Sequence, residues 1–145
     1  MRPTGSWRDV WLLVALAAVG CGRGPHLSCV PVTGTVTLNG KPLPGAIVEF
    51  YPVVAAGEAA LPFSRGQTDA SGRYQLKCDN RQAGAVVGKH RVVVRPTPTE
   101  RDPDGPPKKT PASAIPIVYT VASQTPLEVE VAAGQSIHDL ALKSR

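Results

Sequence analysis

Val30-Pro31-Val32-Thr33-Gly34-Thr35-Val36-Thr37-Leu38-Asn39-Gly40 is the stretch that decides the fold. Val30, Val32, Val36 and Leu38 fall in one phase with Gly34, and Thr33, Thr35 and Thr37 fall in the other. A period of two places these sets on opposite faces of a strand from about 30 to 38, one face apolar and one wet. Asn39-Gly40 then marks a tight turn, because both residues tolerate positive φ. Pro42 and Pro44 lack N–H groups, which delays the returning strand past Gly45. Ala46 to Val53 alternates again, with Val48 and Phe50 opposite Ile47, Glu49 and Tyr51.

The same reading extends along the chain. Val54–Phe63 is small and apolar and reads as a loop, and Arg65–Thr68 is a weak strand. In Asp69-Ala70-Ser71-Gly72 the Asp can accept backbone hydrogen bonds and the Gly supplies a permissive corner, which predicts a turn. Tyr74, Leu76 and Cys78 alternate beyond it, as do His90, Val92 and Val94. Residues 96–116 hold seven of the fifteen prolines, with Lys108-Lys109, and predict an exposed loop. Period two resumes at Leu127, Val129 and Val131, and Leu140 and Leu142 close the pattern. About seven short strands without a confident helix predict an all-β, antiparallel two-sheet sandwich.

Residues 1–21 carry a different pattern. Arg2 and Arg8 precede an apolar run from Val10 to Val19, followed by Gly20 and Cys21. That run is of signal-peptide length and too short to span a bilayer. Ala18-Val19-Gly20-Cys21 resembles the bacterial lipobox, with Ala where Leu is commoner. The resemblance implies a signal peptide over 1–20, a diacylglycerol on Cys21 and a lipidated tether over 21–29. It implies export to the bacterial cell envelope, on the outer membrane or cell surface with a periplasmic orientation open, and membrane lipid as the first partner.

Three cysteines leave an odd thiol in an oxidising compartment unless one is consumed. Lipidation of Cys21 leaves Cys29 and Cys78 as candidates for a disulfide. The alternative is that Cys78 is simply an apolar core residue. The two lie 49 positions apart with no Cys-x-x-Cys pair, which is not zinc spacing, and no metal or other cofactor is expected.

Composition narrows the function classes. The full chain has 145 residues, enough for one domain, with a net charge of +5. Loss of residues 1–20 removes Arg2, Arg8 and Asp9 and leaves 14 basic against 10 acidic residues, about +4. The cations are scattered and do not alternate with aromatics, which argues against nucleic acid as a partner. Asp102 and Asp104 precede Gly105, but Ser113 stands where a calcium loop needs a carboxylate. No Gly-x-Ser-x-Gly elbow or phosphate loop appears. His138 and Asp139 are adjacent on a strand and point to opposite faces, so they cannot easily act as base and orienting group. His90 shares the phase of Val92 and Val94 and reads as a core or edge residue.

Four motifs in order resemble the carboxypeptidase regulatory-like domains of small bacterial lipoproteins. They are Val32-x-Gly34-x-Val36 with Asn39-Gly40-Lys41-Pro42-Leu43-Pro44-Gly45-Ala46; Gln67-Thr68-Asp69-Ala70-Ser71-Gly72-Arg73-Tyr74; Gly84 to Val94; and Pro116-Ile117-Val118-Tyr119. The resemblance covers about residues 30–143 and implies a transthyretin-like (prealbumin-like) sandwich that is not an enzyme. Hydrolases of the same fold carry a C-terminal Tyr-Arg-Gly-Ser, and this chain ends Leu140-Ala-Leu-Lys-Ser-Arg145. The expected function is therefore a structural or protein-interaction module facing an envelope protein. Binding of an envelope carbohydrate or peptide is the alternative, and a hydrolase is a weaker one. The long loop at 96–116, basic at Lys108 and Lys109, is the sequence candidate for the interaction.

Overall fold

The computed structural model describes residues 27–98, 109–134 and 137–144. Among the described residues the regular structure is nearly all strand: β1 Cys29–Val30, β2 Thr33–Leu38, β3 Lys41–Pro42, β4 Ala46–Pro52, β5 Ser64–Gln67, β6 Arg73–Gln75, β7 Lys77–Cys78, β8 Ala85–Val86, β9 Gly88–Pro96, β10 Glu128–Val131 and β11 Leu140–Leu142. A five-stranded sheet runs β10-β9-β4-β5-β7 and packs against a four-stranded sheet of β11, β2, β3 and β6 in a sandwich-like arrangement. β1 and β8 form a short ribbon beside them.

The period-two faces emerge as read. Val32, Val36, Val48, Phe50, Leu76, Val92, Val94 and Leu140 are buried, and Leu38 and Val129 pack against them. Phe50 sits at the centre, its ring against Tyr74, His90 and His138. The two turns also form where expected. Asn39 and Gly40 take φ of 52° and 80°, and Gly72, at φ 75°, follows the Asp69 turn.

Four features differ from the expectations. Among the described residues the strands number eleven, because glycines and prolines cut several runs into two-residue pieces. The pairings are not all antiparallel: β11 lies parallel to β2, Leu140 opposite Val36 and Leu142 opposite Leu38. Alternation fixes which face a residue takes but carries no information on strand direction. Pro42 does not wait for Gly45 to pair, since β3 meets β2 through Thr37–Pro42 and Leu38–Lys41 at a position where the missing N–H is tolerated.

The fourth correction concerns 96–116. Pro96 ends β9, and Pro111–Ala114 forms a 3-10 turn whose Ala112 is fully buried, with Ile115 in the same core. Proline density suggested exposure, but Pro at the first turn position fixes φ where a 3-10 turn needs it and costs no donor there. A second 3-10 turn, Ile117–Tyr119, buries Tyr119, whose hydroxyl accepts from the Lys143 N–H at 3.3 Å. Within 96–116, residues 99–108 lie outside the described residues.

The outward side of β4 is also covered. Ile47, Glu49 and Val93 are all buried there. Glu49 accepts from Arg95 and from the Tyr51 hydroxyl at 3.0 Å, and Arg65 stands 3.7 Å away. Tyr51 stacks on Phe63 at 5.6 Å. A carboxylate this buried costs several kcal/mol unless paired, and these cationic and hydroxyl donors meet that cost.

Candidate functional site

The outward face of the four-stranded sheet holds a polar groove of about 660 Å³. It arises from strand register. Ile137, Thr33 and Gln75 stand side by side, since Thr33 pairs with both neighbours. Thr35 pairs with Arg73, and on its other side the Asp139 carboxylate accepts the Thr35 N–H at 2.8 Å. Two rows therefore cross the sheet, Ile137–Thr33–Gln75 and Asp139–Thr35–Arg73. Gln67 from β5 and Asp69 from the turn wall one side.

Several side chains in the groove are fixed in place. The Asp69 carboxylate accepts N–H groups of Ser71 at 2.8 Å and Arg73 at 3.0 Å, and these bonds hold its carboxyl below the usual carboxylate range. Tyr74 forms the floor. Burial, and secondarily the Asp139 charge, push its hydroxyl well above the usual tyrosine range, so it remains a donor, to the His138 carbonyl at 2.7 Å. Gly34 is required beside it: a Cβ there would lie 1.9 Å from the His138 oxygen and 2.9 Å from Tyr74 Cε1. Ile137, 65% exposed, adds an apolar contact at the rim.

The arrangement suits recognition. Asp69 and Asp139 already accept main-chain N–H groups, which ties both carboxylates to the structure. With Arg73, Gln67, Gln75 and the threonines, they offer donors and acceptors to a ligand rich in hydroxyl or amide groups. Gln67, Asp69, Arg73 and Tyr74 share one turn motif in the sequence, but nothing there joins them to Thr35 and Asp139. Thr33 and Thr35 were visible as outward positions, but aligning them with Arg73 depends on the β2–β6 pairing, and with Asp139 on a contact across 104 positions.

Of the residues weighed as candidates from the sequence, Asp139 lines the groove. Cys21 and Lys108 lie outside the described residues, as do Asp102 and Asp104, and Lys109 is exposed. Cys29, on β1, and Cys78, on β7, are both thiols, the first half-buried and the second buried. His90 is buried; its Nδ1–H donates to the Gly88 carbonyl at 3.0 Å, and its Nε2 is buried without a partner among the described residues. The His138 Nε2 is likewise buried and unpartnered there, while Asp139 faces the groove. Burial lowers both imidazoles below their usual value. Among the described residues, no group of three or more His, Cys, Asp or Glu could hold a metal ion. None of the described helices is long and apolar enough to cross a membrane.

Comparison of the chain with protein-family models, with curated proteins and with solved structures returned no match.

Proposed function

We propose that the chain is an exported lipoprotein, anchored to a membrane of the bacterial cell envelope through Cys21, whose carboxypeptidase regulatory-like, transthyretin-like sandwich is a non-catalytic interaction module. The apolar run ending at Ala18-Val19-Gly20-Cys21 supports the anchor. The observation that carries the module is the groove over β2 and β6, with donors and acceptors held in place by strand register and by the Asp69 turn. It replaces the 96–116 loop as the favoured binding surface, because Ala112 and Ile115 of that loop serve the core.

The test has two arms. In a lipoprotein-processing bacterium, mass spectrometry of the wild-type chain should find an acylated N-terminus at Cys21, and Cys21→Ser should be released or remain unprocessed. An unmodified N-terminus at another position would refute the anchor. In the second arm, the Cys21→Ser chain probes arrays of defined envelope-type oligosaccharides and peptides. Retention that Arg73→Glu and Thr35→Lys abolish supports the groove. Retention that both variants leave intact moves the site elsewhere, and turnover of a retained ligand overturns the non-catalytic reading.

A further inference from the structure

We propose that Cys29 and Cys78 close an intramolecular disulfide after export, fastening the segment behind the anchor to the five-stranded sheet. The oxidising compartment it needs rests on the exported reading above.

The geometry begins with β1, which is only two residues long. Among the described residues its ladder partner is β8, Cys29 opposite Val86 and Val30 opposite Ala85. β7 runs directly alongside. The Leu76 N–H donates to the Val32 carbonyl at 3.0 Å, the Gly84 N–H donates to the Leu76 carbonyl at 2.8 Å, and Lys77 bridges Ala83. Gly84 permits this close approach, since a Cβ there would stand 1.7 Å from the Val30 oxygen. Cys78 is thereby brought beside Cys29 while belonging to the larger sheet, where it pairs with Ser64. The Cys78 thiol neighbours that of Cys29, whose Sγ lies 4.0 Å from the amide oxygen of Asn80, two residues beyond Cys78.

Their environments differ in a way that orders the chemistry. Cys29 is half-buried and reachable, whereas Cys78 is only 3% exposed. The Cys29 thiolate attacks an external disulfide, of a thiol-oxidising protein or of oxidised glutathione. One S–S bond of the oxidant breaks, a mixed disulfide forms, and one thiol leaves with a proton. The Cys78 thiolate then displaces the second thiol and closes the Cys29–Cys78 bond. Two cysteine thiols give up two electrons and two protons, and the oxidant's disulfide takes both. Burial, followed by the neighbouring Cys78, pushes the Cys29 thiol up to about 11. Uncatalysed closure is therefore slow near neutrality and speeds up about tenfold per pH unit from 7 to 9.

The full chain taken from the cell envelope, alkylated before any reduction, should yield a peptide pair linking Cys29 to Cys78. The purified full-length Cys21→Ser chain, treated with oxidised glutathione, should lose two hydrogen masses and keep no glutathione adduct. Closure in the purified chain without linkage in the envelope keeps the pairing and removes the oxidising location. Persistent glutathione on Cys29, without ring closure, overturns the pairing. Because Cys78→Ser could unfold the core by itself, Cys29→Ser carries the stability test. Dithiothreitol should lower the melting temperature of the oxidised chain by about 10 °C or more and leave Cys29→Ser unmoved. No shift in the oxidised wild type would also overturn it.

Discussion

The Tyr74 hydroxyl donates a 2.7 Å hydrogen bond to the His138 carbonyl across the gap that Gly34 leaves open, where a Cβ would stand 1.9 Å from that oxygen. One glycine thus lets the β6 aromatic reach the segment leading into β11 over the back of β2. Tyr74→Phe removes the donor and keeps the ring, and is expected to cost about 1–2 kcal/mol. Gly34→Ala forces backbone apart and is expected to cost about 3 kcal/mol. Urea unfolding of both variants measures this; a Gly34→Ala chain as stable as wild type would contradict the close approach.

Acidification should destabilise the fold through His90 and His138. Both imidazoles are lowered below 6.5, chiefly by burial, and each keeps an Nε2 buried without a partner among the described residues. The unfolded chain takes protons near the ordinary value, while the folded chain resists until lower pH. Their contribution to stability is therefore complete above about 6.5 and is lost as pH falls through the folded values. Urea midpoints measured from pH 8 to 5 should fall on the acid side. His90→Leu should flatten that fall, and an unchanged slope would separate the acid response from His90.

Loss of Glu49 should loosen the outward face of the five-stranded sheet. Glu49→Ala removes the acceptor of Arg95 and Tyr51 together and is expected to cost about 2 kcal/mol. Arg65→Ala, whose partner lies at 3.7 Å and whose side chain is 58% exposed, should change stability by less than about 0.5 kcal/mol. Thermal denaturation of the two variants compares them directly.

The proline-rich segment divides into two parts with opposite tolerance. Replacing 99–108 by a short Gly-Ser linker should leave the melting temperature within a few degrees, because loop length changes closure entropy only slowly. Ile115→Asp introduces a charge among the core residues Ala112 and Tyr119 and should cost several kcal/mol. Circular dichroism melting distinguishes them; an unmoved transition in Ile115→Asp would remove this segment from the core.

The inward faces were legible from the sequence because alternation is a local property. Val36, Phe50, Val92 and Leu140 each declare their side through neighbours two positions away. The Asp69 turn was legible for the same reason, since the Asp69 carboxylate takes its N–H groups from Ser71 and Arg73, close by in the sequence. What depends on distant pairing was not. Glu49 reads as an outward charge until Arg95 arrives from β9, and the groove exists only once Asp139 meets Thr35. Ala112 and Ile115 were hidden by the prolines on either side of them, whose composition resembles that of a solvated linker.

The parallel pairing of β11 with β2 also governs the order in which the protein can form. Leu140 must find Val36, and Asp139 must reach a Thr35 N–H 104 positions earlier. These contacts close very large loops, so they carry the entropy cost that makes non-local topologies fold slowly. A nascent chain can assemble β4, β5 and β9 early, but β2 lacks its parallel neighbour until residues 140–142 have been synthesised. The sandwich is therefore finished from its C-terminus, and a chain halted before that point leaves the edge of β2 open to pairing with another copy.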